Sequence, residues 1–374
     1  MSLRSVQLVT PRLFTRTRIA AFSTCTRRFE SHSTSDPLRF SVGVGYSGKD
    51  TPPFVSRERA NEAAKKGFQP DSKIGRWKRE MMALGGGRVE LFDTMQESKE
   101  DDWTRENSGL ADRRRWGSGE DSFFVNESVS RKTYLAVQDG VGGWSDAGVD
   151  PSLFSESLTY HMYTSTLKNP SAKPVDVLIK GYAGVLADEG VKCGSSTSCV
   201  VSLDKGRGLL EAANLGDSGF TIIRNGAVHF ASTSQTVYFN CPWQLAKLVN
   251  KTPDAASNRP EQADLYQQAL KPGDMIVLYT DGFSDNVHPH QLVGLLKHVD
   301  NTLASPENAF LDPLEREVER ARLLADVLVA YGRMVMGRED VQTPFELEAA
   351  QNRLKWPGGK LDDITVLTVH VGQD

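Results

Sequence analysis

Met275-Ile276-Val277-Leu278-Tyr279-Thr280-Asp281-Gly282 is the stretch on which the reading of this chain turns. A β-rich apolar run ends in an acidic residue, and the glycine after it allows a tight turn. The same pattern recurs far away. Leu135-Ala136-Val137-Gln138 runs into Asp139-Gly140, and Asp362-Asp363 opens the run Ile364-Thr365-Val366-Leu367-Thr368-Val369. One Asp-Gly alone reads equally well as a turn. Three acidic groups at strand ends point to a metal site, because hard divalent cations need anionic oxygens converging from different segments. A carboxylate set without thiolates suits Mg²⁺ or Mn²⁺.

With 374 residues, 39 % of them hydrophobic, the chain can build one large core or two modest ones. No apolar run approaches the roughly 20 residues that cross a bilayer, so no transmembrane segment is expected. Cys25, Cys193, Cys199 and Cys241 lack zinc-site spacing and form no dense framework, which fits free thiols in a reducing compartment.

The first 29 residues contain six arginines, eight Ser/Thr and no acidic residue, with Leu3, Val6, Leu13, Phe14, Ile19 and Phe22 interspersed. This is the composition of a mitochondrial transit peptide, expected over 1–35; the alternative is a basic tail that binds nucleic acid or lipid. Removing those six positive charges takes the formal charge from −4 to −10. A body that acidic is a poor nucleic-acid binder, and no such partner is expected.

Residues 37–50 read as an opening strand followed by a glycine turn. From about 52 to 118 the chain is charged and irregular, an insertion into the domain expected over 36–374, with helix-forming composition at Ser56–Lys66. The alternative for this insertion is a substrate- or partner-docking arm. Strands are expected at 133–138, 198–203, 209–214, 219–224, 227–231, 275–280 and 364–371, with Asn225-Gly226 as a two-residue hairpin turn. Helices are expected at 151–167, after the cap and first-turn pair Asp150-Pro151, at 174–189 and at 313–336. Strands in adjacent blocks without strict βαβ alternation indicate an α+β layered fold of mostly antiparallel sheets.

Further motifs follow in order: Glu120-Asp121-Ser122 before Phe123-Phe124, Asp139-Gly140-Val141-Gly142-Gly143-Trp144, Gly194-Ser195-Ser196-Thr197, Asn214-Leu215-Gly216-Asp217-Ser218-Gly219, and Asp281-Gly282-Phe283-Ser284-Asp285-Asn286. With Asp362-Asp363, this series over roughly 119–371 resembles the metal-dependent (PPM, type-2C) protein Ser/Thr phosphatases. The pieces Gly143-Trp144 through Asp150-Pro151 and Thr236 through Pro242 resemble the mitochondrial branch of that family.

The resemblance implies a four-layer α-β-β-α sandwich with a two-metal centre, Mn²⁺ or Mg²⁺, at one end of the paired sheets. It implies that Asp139 bridges both ions, that Glu120 and the Gly140 carbonyl ligate one, and that Asp281 and Asp362 ligate the other. Asp121 would hold water, and Asp217 would serve a weaker third ion. Two cations about 4 Å apart repel unless anions separate them, and together they acidify a water for attack on phosphorus. The implied partners are mitochondrial matrix phosphoproteins, including those of coenzyme Q biosynthesis.

Two positions depart from the family pattern. Val141 stands where a histidine general acid is common. Trp116 stands where the phosphate-binding arginine is usual; Arg113, Arg114 and Arg115 lie beside it, and one of them could substitute by a small register shift. His288 and His290 are expected to be loop residues, and Cys193 and Cys199 small buried thiols, with a redox pair as the alternative. Ser195 and Ser196 lack a nucleophile-elbow context. The reading from another class is a catalytically silent phosphatase-like scaffold. Such a relative is expected to have lost a bridging or terminal carboxylate, whereas Asp139, Asp281 and Asp362 all remain.

Overall fold

The computed structural model describes residues 37–85, 117–127, 131–248 and 257–373. The strands are β1 (Leu38–Ser47), β2 (Ser122–Glu127), β3 (Lys132–Gln138), β4 (Gly194–Ser196), β5 (Ser198–Asp204), β6 (Leu209–Leu215), β7 (Gly219–Arg224) and β8 (Ala227–Ala231). They continue with β9 (Thr236–Tyr238), β10 (Cys241–Pro242), β11 (Leu245–Lys247), β12 (Asp264–Ala269), β13 (Met275–Tyr279) and β14 (Ile364–Gln373). The α-helices are α1 (Arg57–Ala63), α2 (Lys73–Met82), α3 (Pro151–Lys168), α4 (Pro174–Ala187), α5 (Asp281–Ser284), α6 (Pro289–Leu303), α7 (Pro313–Met336) and α8 (Pro344–Gln351).

Two five-stranded sheets, ordered β1-β14-β13-β7-β8 and β12-β6-β5-β3-β2, carry the fold. Their pairings are antiparallel throughout. Side chains alternate across each strand, so a sheet covered on both faces reads as a continuous apolar run. In β13, Ile276 and Leu278 join the core shared with the second sheet. Met275 and Val277 instead pack with Leu324 and Leu328 of α7. Each such buried side chain contributes about 1.5–3 kcal/mol of hydrophobic stabilisation. Helices α3 and α4 cover the second sheet, and α7 covers β1 and β14. The result is the expected α-β-β-α sandwich.

Local chemistry explains the elements. Asp150 accepts a hydrogen bond from the Ser152 N–H and Pro151 opens α3. Asp312 and Glu315 form a capping box that starts α7. At Gly43 a Cβ would lie 2.2 Å from the Ala321 carbonyl oxygen, so only glycine lets β1 approach α7 this closely. Asn225 and Gly226 both have positive φ, as the hairpin turn between β7 and β8 requires.

The structure differs from expectation in several places. The segment 52–118 contains α1, capped by Ser56, and α2, whose Trp77, Met81 and Met82 are buried. Trp77 stacks edge-on against Tyr160 of α3 at 5.5 Å. This part is therefore a packed layer, and the rest of the insertion, 86–116, lies outside the described residues. The transit-peptide segment also lies outside them. Helix α6 buries Leu292, Leu296, Val299 and Leu303, a helical spacing hidden among polar residues. His288 is the N-cap of that helix and His290 lies within it, their rings stacked at 5.2 Å, so neither is a plain loop residue.

Candidate metal centre

Register delivers the acidic residues to one edge. Ser122 pairs with Gln138, so Glu120-Asp121 before β2 and Asp139 after β3 emerge side by side. Tyr279 pairs with Val366, which brings Asp281 beside Asp362-Asp363. Asp217 lies in the crossing from β6 of one sheet to β7 of the other. Ser47 pairs with Ile364, placing the turn after β1 at the same edge.

Side-chain hydrogen bonds hold these loops together. Asp363 Oδ1 accepts from the Lys49 N–H at 2.7 Å and Oδ2 from the Glu120 N–H at 2.9 Å. Thr280 Oγ1 donates to Asp121 Oδ2 at 2.8 Å and accepts from the Thr365 N–H at 3.0 Å. Thr197 Oγ1 accepts from the Asp139 N–H at 3.2 Å and bonds Ser218 Oγ at 2.8 Å. Gly194-Ser195-Ser196-Thr197 is thus a positioning element. Ser195 Oγ accepts from Trp144 Nε1 at 2.6 Å, consistent with no nucleophilic role. Gly140 bridges to Ser196, and its N–H donates to the Glu120 carbonyl.

Carboxylate oxygens of Asp139, Asp217 and Asp281 lie within 4.8 Å of one another. Asp121 Oδ1, Asp217 Oδ1 and Asp281 Oδ1 are buried without a hydrogen-bond partner. Burying unpaired anionic oxygens side by side is costly unless a cation joins them. Burial first, then repulsion from Asp281 and Asp121, pushes the Asp139 carboxyl well above its ordinary range. Burial, then Asp281 and Asp285, does the same to Asp217. The donor set is oxygen only, and it fits Mg²⁺ or Mn²⁺.

Two residues that no motif flags also belong to the site. Lys49 Nζ lies 2.7 Å from Glu120 Oε2 and 3.3 Å from both Asp362 Oδ1 and Asp363 Oδ2. Lys360 Nζ lies 2.6 Å from Asp281 Oδ2, 2.8 Å from Asp285 Oδ2 and 3.1 Å from Asp362 Oδ2. Burial raises the Asp362 pKa, but Lys360 and Lys49 outweigh it and hold that carboxyl below its usual value. The only sequence signal for either lysine is its place beside glycine at a strand-edge turn, Gly48-Lys49 and Gly359-Lys360.

Asp217, which the resemblance assigns to a weaker third ion, lies in one carboxylate trio with Asp139 and Asp281. Glu120 and Asp362 are engaged by the lysines, because an ammonium is the nearest available partner for their oxygens. The trio contains no histidine. Among the free thiols, Cys199 is buried and Cys193 half-buried.

Comparison with known proteins agrees with the geometry. No family model matches the chain. The 5-azacytidine resistance protein azr1 of Schizosaccharomyces pombe is 34 % identical over 255 residues, 67 % of this chain and 80 % of that protein. The PTC7 protein phosphatase homolog of Danio rerio is 34 % identical over 252 residues, again 67 % and 80 %. Among solved structures, the photosystem II phosphatase PBCP superposes with a TM-score of 0.55 at 30 % identity, covering 67 % of this chain and 91 % of that one. With relatives this similar over most of their length, and with the acidic edge in place, the chain belongs to the metal-dependent type-2C (PPM) protein Ser/Thr phosphatases of the PTC7 kind.

Proposed function

We propose that this enzyme dephosphorylates phosphoserine and phosphothreonine in phosphoproteins of the mitochondrial matrix, coenzyme Q biosynthesis being among the processes it controls. The converging, partly unpartnered carboxylates carry the hydrolytic half of this reading. The arginine-rich, acid-free first 29 residues support the compartment. Glu120, Asp139 and the Gly140 carbonyl would hold one ion, and Asp139, Asp281 and Asp362 the other, with Asp217 beside them. Two Mn²⁺ or Mg²⁺ ions supply an acidified water and charge stabilisation for phosphoryl transfer. Asp121, anchored by Thr280 on one oxygen, would hold a water bound to these ions. Assay of residues 36–374 on phosphoserine and phosphothreonine peptides tests the activity: turnover should vanish in EDTA and return with Mn²⁺. A metal-loaded protein that leaves both peptides intact sinks it.

For the compartment, residues 1–36 fused to a reporter should direct it into mitochondria, and a chain starting near Ser33 should remain cytosolic and active. Normal import of the shortened chain would refute the targeting assignment.

The leaving group gives a further expectation. The Val141 N–H is tied to the Ser195 carbonyl at 3.1 Å, so an aliphatic side chain is fixed at the start of the glycine turn. A serine alkoxide normally needs a proton in the transition state, and a general acid contributes about 10²–10⁴ in rate. Without an imidazole there, rates across phosphate monoesters should depend steeply on leaving-group pKa. Val141→His should help alkyl phosphates more than nitrophenyl phosphate. A flat dependence in the unmodified enzyme would mean that another residue already supplies the proton.

A further inference from the structure

We propose that Lys49 is the phosphate-binding cation of this enzyme, taking from the turn after β1 the part that an arginine ahead of the glutamate ligand usually plays. The inference rests on the phosphatase reading and adds to it the residue that receives the phosphoryl oxygens.

Trp116 occupies the usual arginine position, and Arg113, Arg114 and Arg115 lie outside the described residues. Lys49 reaches the edge of the carboxylate cluster from a different element. Its side chain keeps 27 % exposure, against 12 % for Lys360. It lines an open cleft with Asp50, Thr51, Lys66, Gly119 and Glu120. The glycine turn after Asp139 comes close to Nζ. A Cβ on Gly142 would come within 2.9 Å of Glu120 Oε2 and 3.5 Å of Lys49 Nζ, whereas one on Gly143 would meet nothing within 4 Å. A side chain at position 142 would therefore crowd the Lys49 ammonium and its Glu120 partner.

The backbone of Lys49 is fixed in advance. Its N–H donates to Asp363 Oδ1, the Gly48 N–H donates to the Gly117 carbonyl at 3.1 Å, and the Gly48 carbonyl accepts from Arg333 Nη1 at 2.8 Å and Thr51 Oγ1 at 2.7 Å. The stem is therefore fixed at its root. A phosphate monoester brings up to two negative charges into a site walled by carboxylates, and its equatorial oxygens need a donor besides the metals. Lysine serves this purpose as a point charge with three rotatable donors. Lys360 is a poorer candidate. Three carboxylates engage its ammonium, as they do that of Lys49, but its side chain is only 12 % exposed against 27 %, and it does not line the cleft. It orients ligands and has less freedom to meet a substrate. Lys66 lies further out, 3.8 Å from Asp50 and 45 % exposed.

Calorimetry with Mn²⁺ alone, then with inorganic phosphate on the Mn²⁺-loaded protein, separates the possibilities. Lys49→Met should weaken phosphate binding by about 10- to 100-fold, the worth of a hydrogen bond to a charged group, and raise KM for phosphopeptides similarly. Its Mn²⁺ affinity should be unchanged or tighter, since a competing cation has gone. Lys49→Arg should recover most of the phosphate affinity, and Lys65→Met, at a side chain 68 % exposed and outside the cleft, should change it by less than about threefold. Phosphate affinity equal to wild type in Lys49→Met, or a parallel loss of Mn²⁺ binding, would overturn the assignment. The parallel loss would mean that Lys49 merely props the metal ligands. Lys49→Arg keeps the charge and guards against misfolding as the cause of a loss. Wild-type protein that binds Mn²⁺ yet takes up no phosphate would count against the phosphatase reading itself.

Discussion

Asp139→Ala should abolish Mn²⁺-dependent turnover, by about 10³-fold or more at saturating metal, equivalent to about 4 kcal/mol of lost transition-state stabilisation. The size follows from its position. Asp139 follows β3, with its backbone locked to Thr197 on both sides and its carboxylate within 4.8 Å of those of Asp217 and Asp281. Removing it leaves two cations facing each other without an anion between them. Asp281→Asn should act differently. It keeps an oxygen in place and retains its short helix, so the loss should lie mainly in metal affinity and be recovered in part at high Mn²⁺. Without metal, Asp139→Ala should be at least as stable as the parent chain, because it removes one of several crowded like charges. Activity measured across a Mn²⁺ series, with thermal melts in EDTA, reads all three. More than a few per cent of parental turnover in Asp139→Ala at saturating Mn²⁺ would rule out a bridging role.

Much of this architecture is legible from residue pattern, for a physical reason. The sheets are covered on both faces, so β13 appears as an unbroken apolar run and β14 as one broken mainly by threonines, and the carboxylates at their ends stand out by contrast. Legibility fades where that contrast is absent. Strand β12, Asp-Leu-Tyr-Gln-Gln-Ala, alternates exposed and half-buried positions at a sheet edge and shows itself only by pairing with β6. Helix α8 is eight residues long and held by the Thr343 cap and by Phe345 against Phe239 and Trp356, contacts that no local pattern announces. The same holds for the site. Three strand ends point to Asp139, Asp281 and Asp362, and the resemblance adds Glu120 and Asp217, whereas nothing points to Lys49 and Lys360, since a lysine in a glycine turn is ordinarily a solvated charge. Only the register of β1 against β14 carries Lys49 to Glu120 and Asp363. Asp363 looks in the sequence like a twin of Asp362. It proves to be a brace, accepting the backbone N–H groups of Lys49 and Glu120.

Metal removal should destabilise the folded chain, and the loss should grow with pH. Burial, with like-charge repulsion added, raises the pKa of Asp121, Asp139 and Asp217 above the ordinary 3.8. Asp285 is pushed up to about 7 by burial, against the pull of Lys360. A carboxyl with a raised folded-state pKa binds its proton more tightly in the native than in the unfolded chain. Below about pH 4 both states are protonated and the group is neutral in effect. As pH rises, the unfolded chain releases its proton first, so stability falls until the folded pKa is passed. Asp362 has the opposite sign: its depressed pKa stabilises the fold above the ordinary carboxylate range, and that contribution is lost only as the pH falls below it. The metal-free protein should therefore lose stability as pH rises from about 4, with the share of Asp285 complete by about pH 7 and Asp362 constant across that window. Metal binding reverses the trend, because the ions take the place of the protons and bind better once the carboxylates are ionised. At 100 times Kd, a cation adds about 2.7 kcal/mol. For a chain of this size that corresponds to roughly 3–4 °C in Tm. The gap in Tm between Mn²⁺ and EDTA should widen from pH 5 to pH 8, and Asp285→Asn should flatten part of the slope in EDTA. A gap that stays constant or narrows over this range would mean that the buried carboxylates are not what holds the metal.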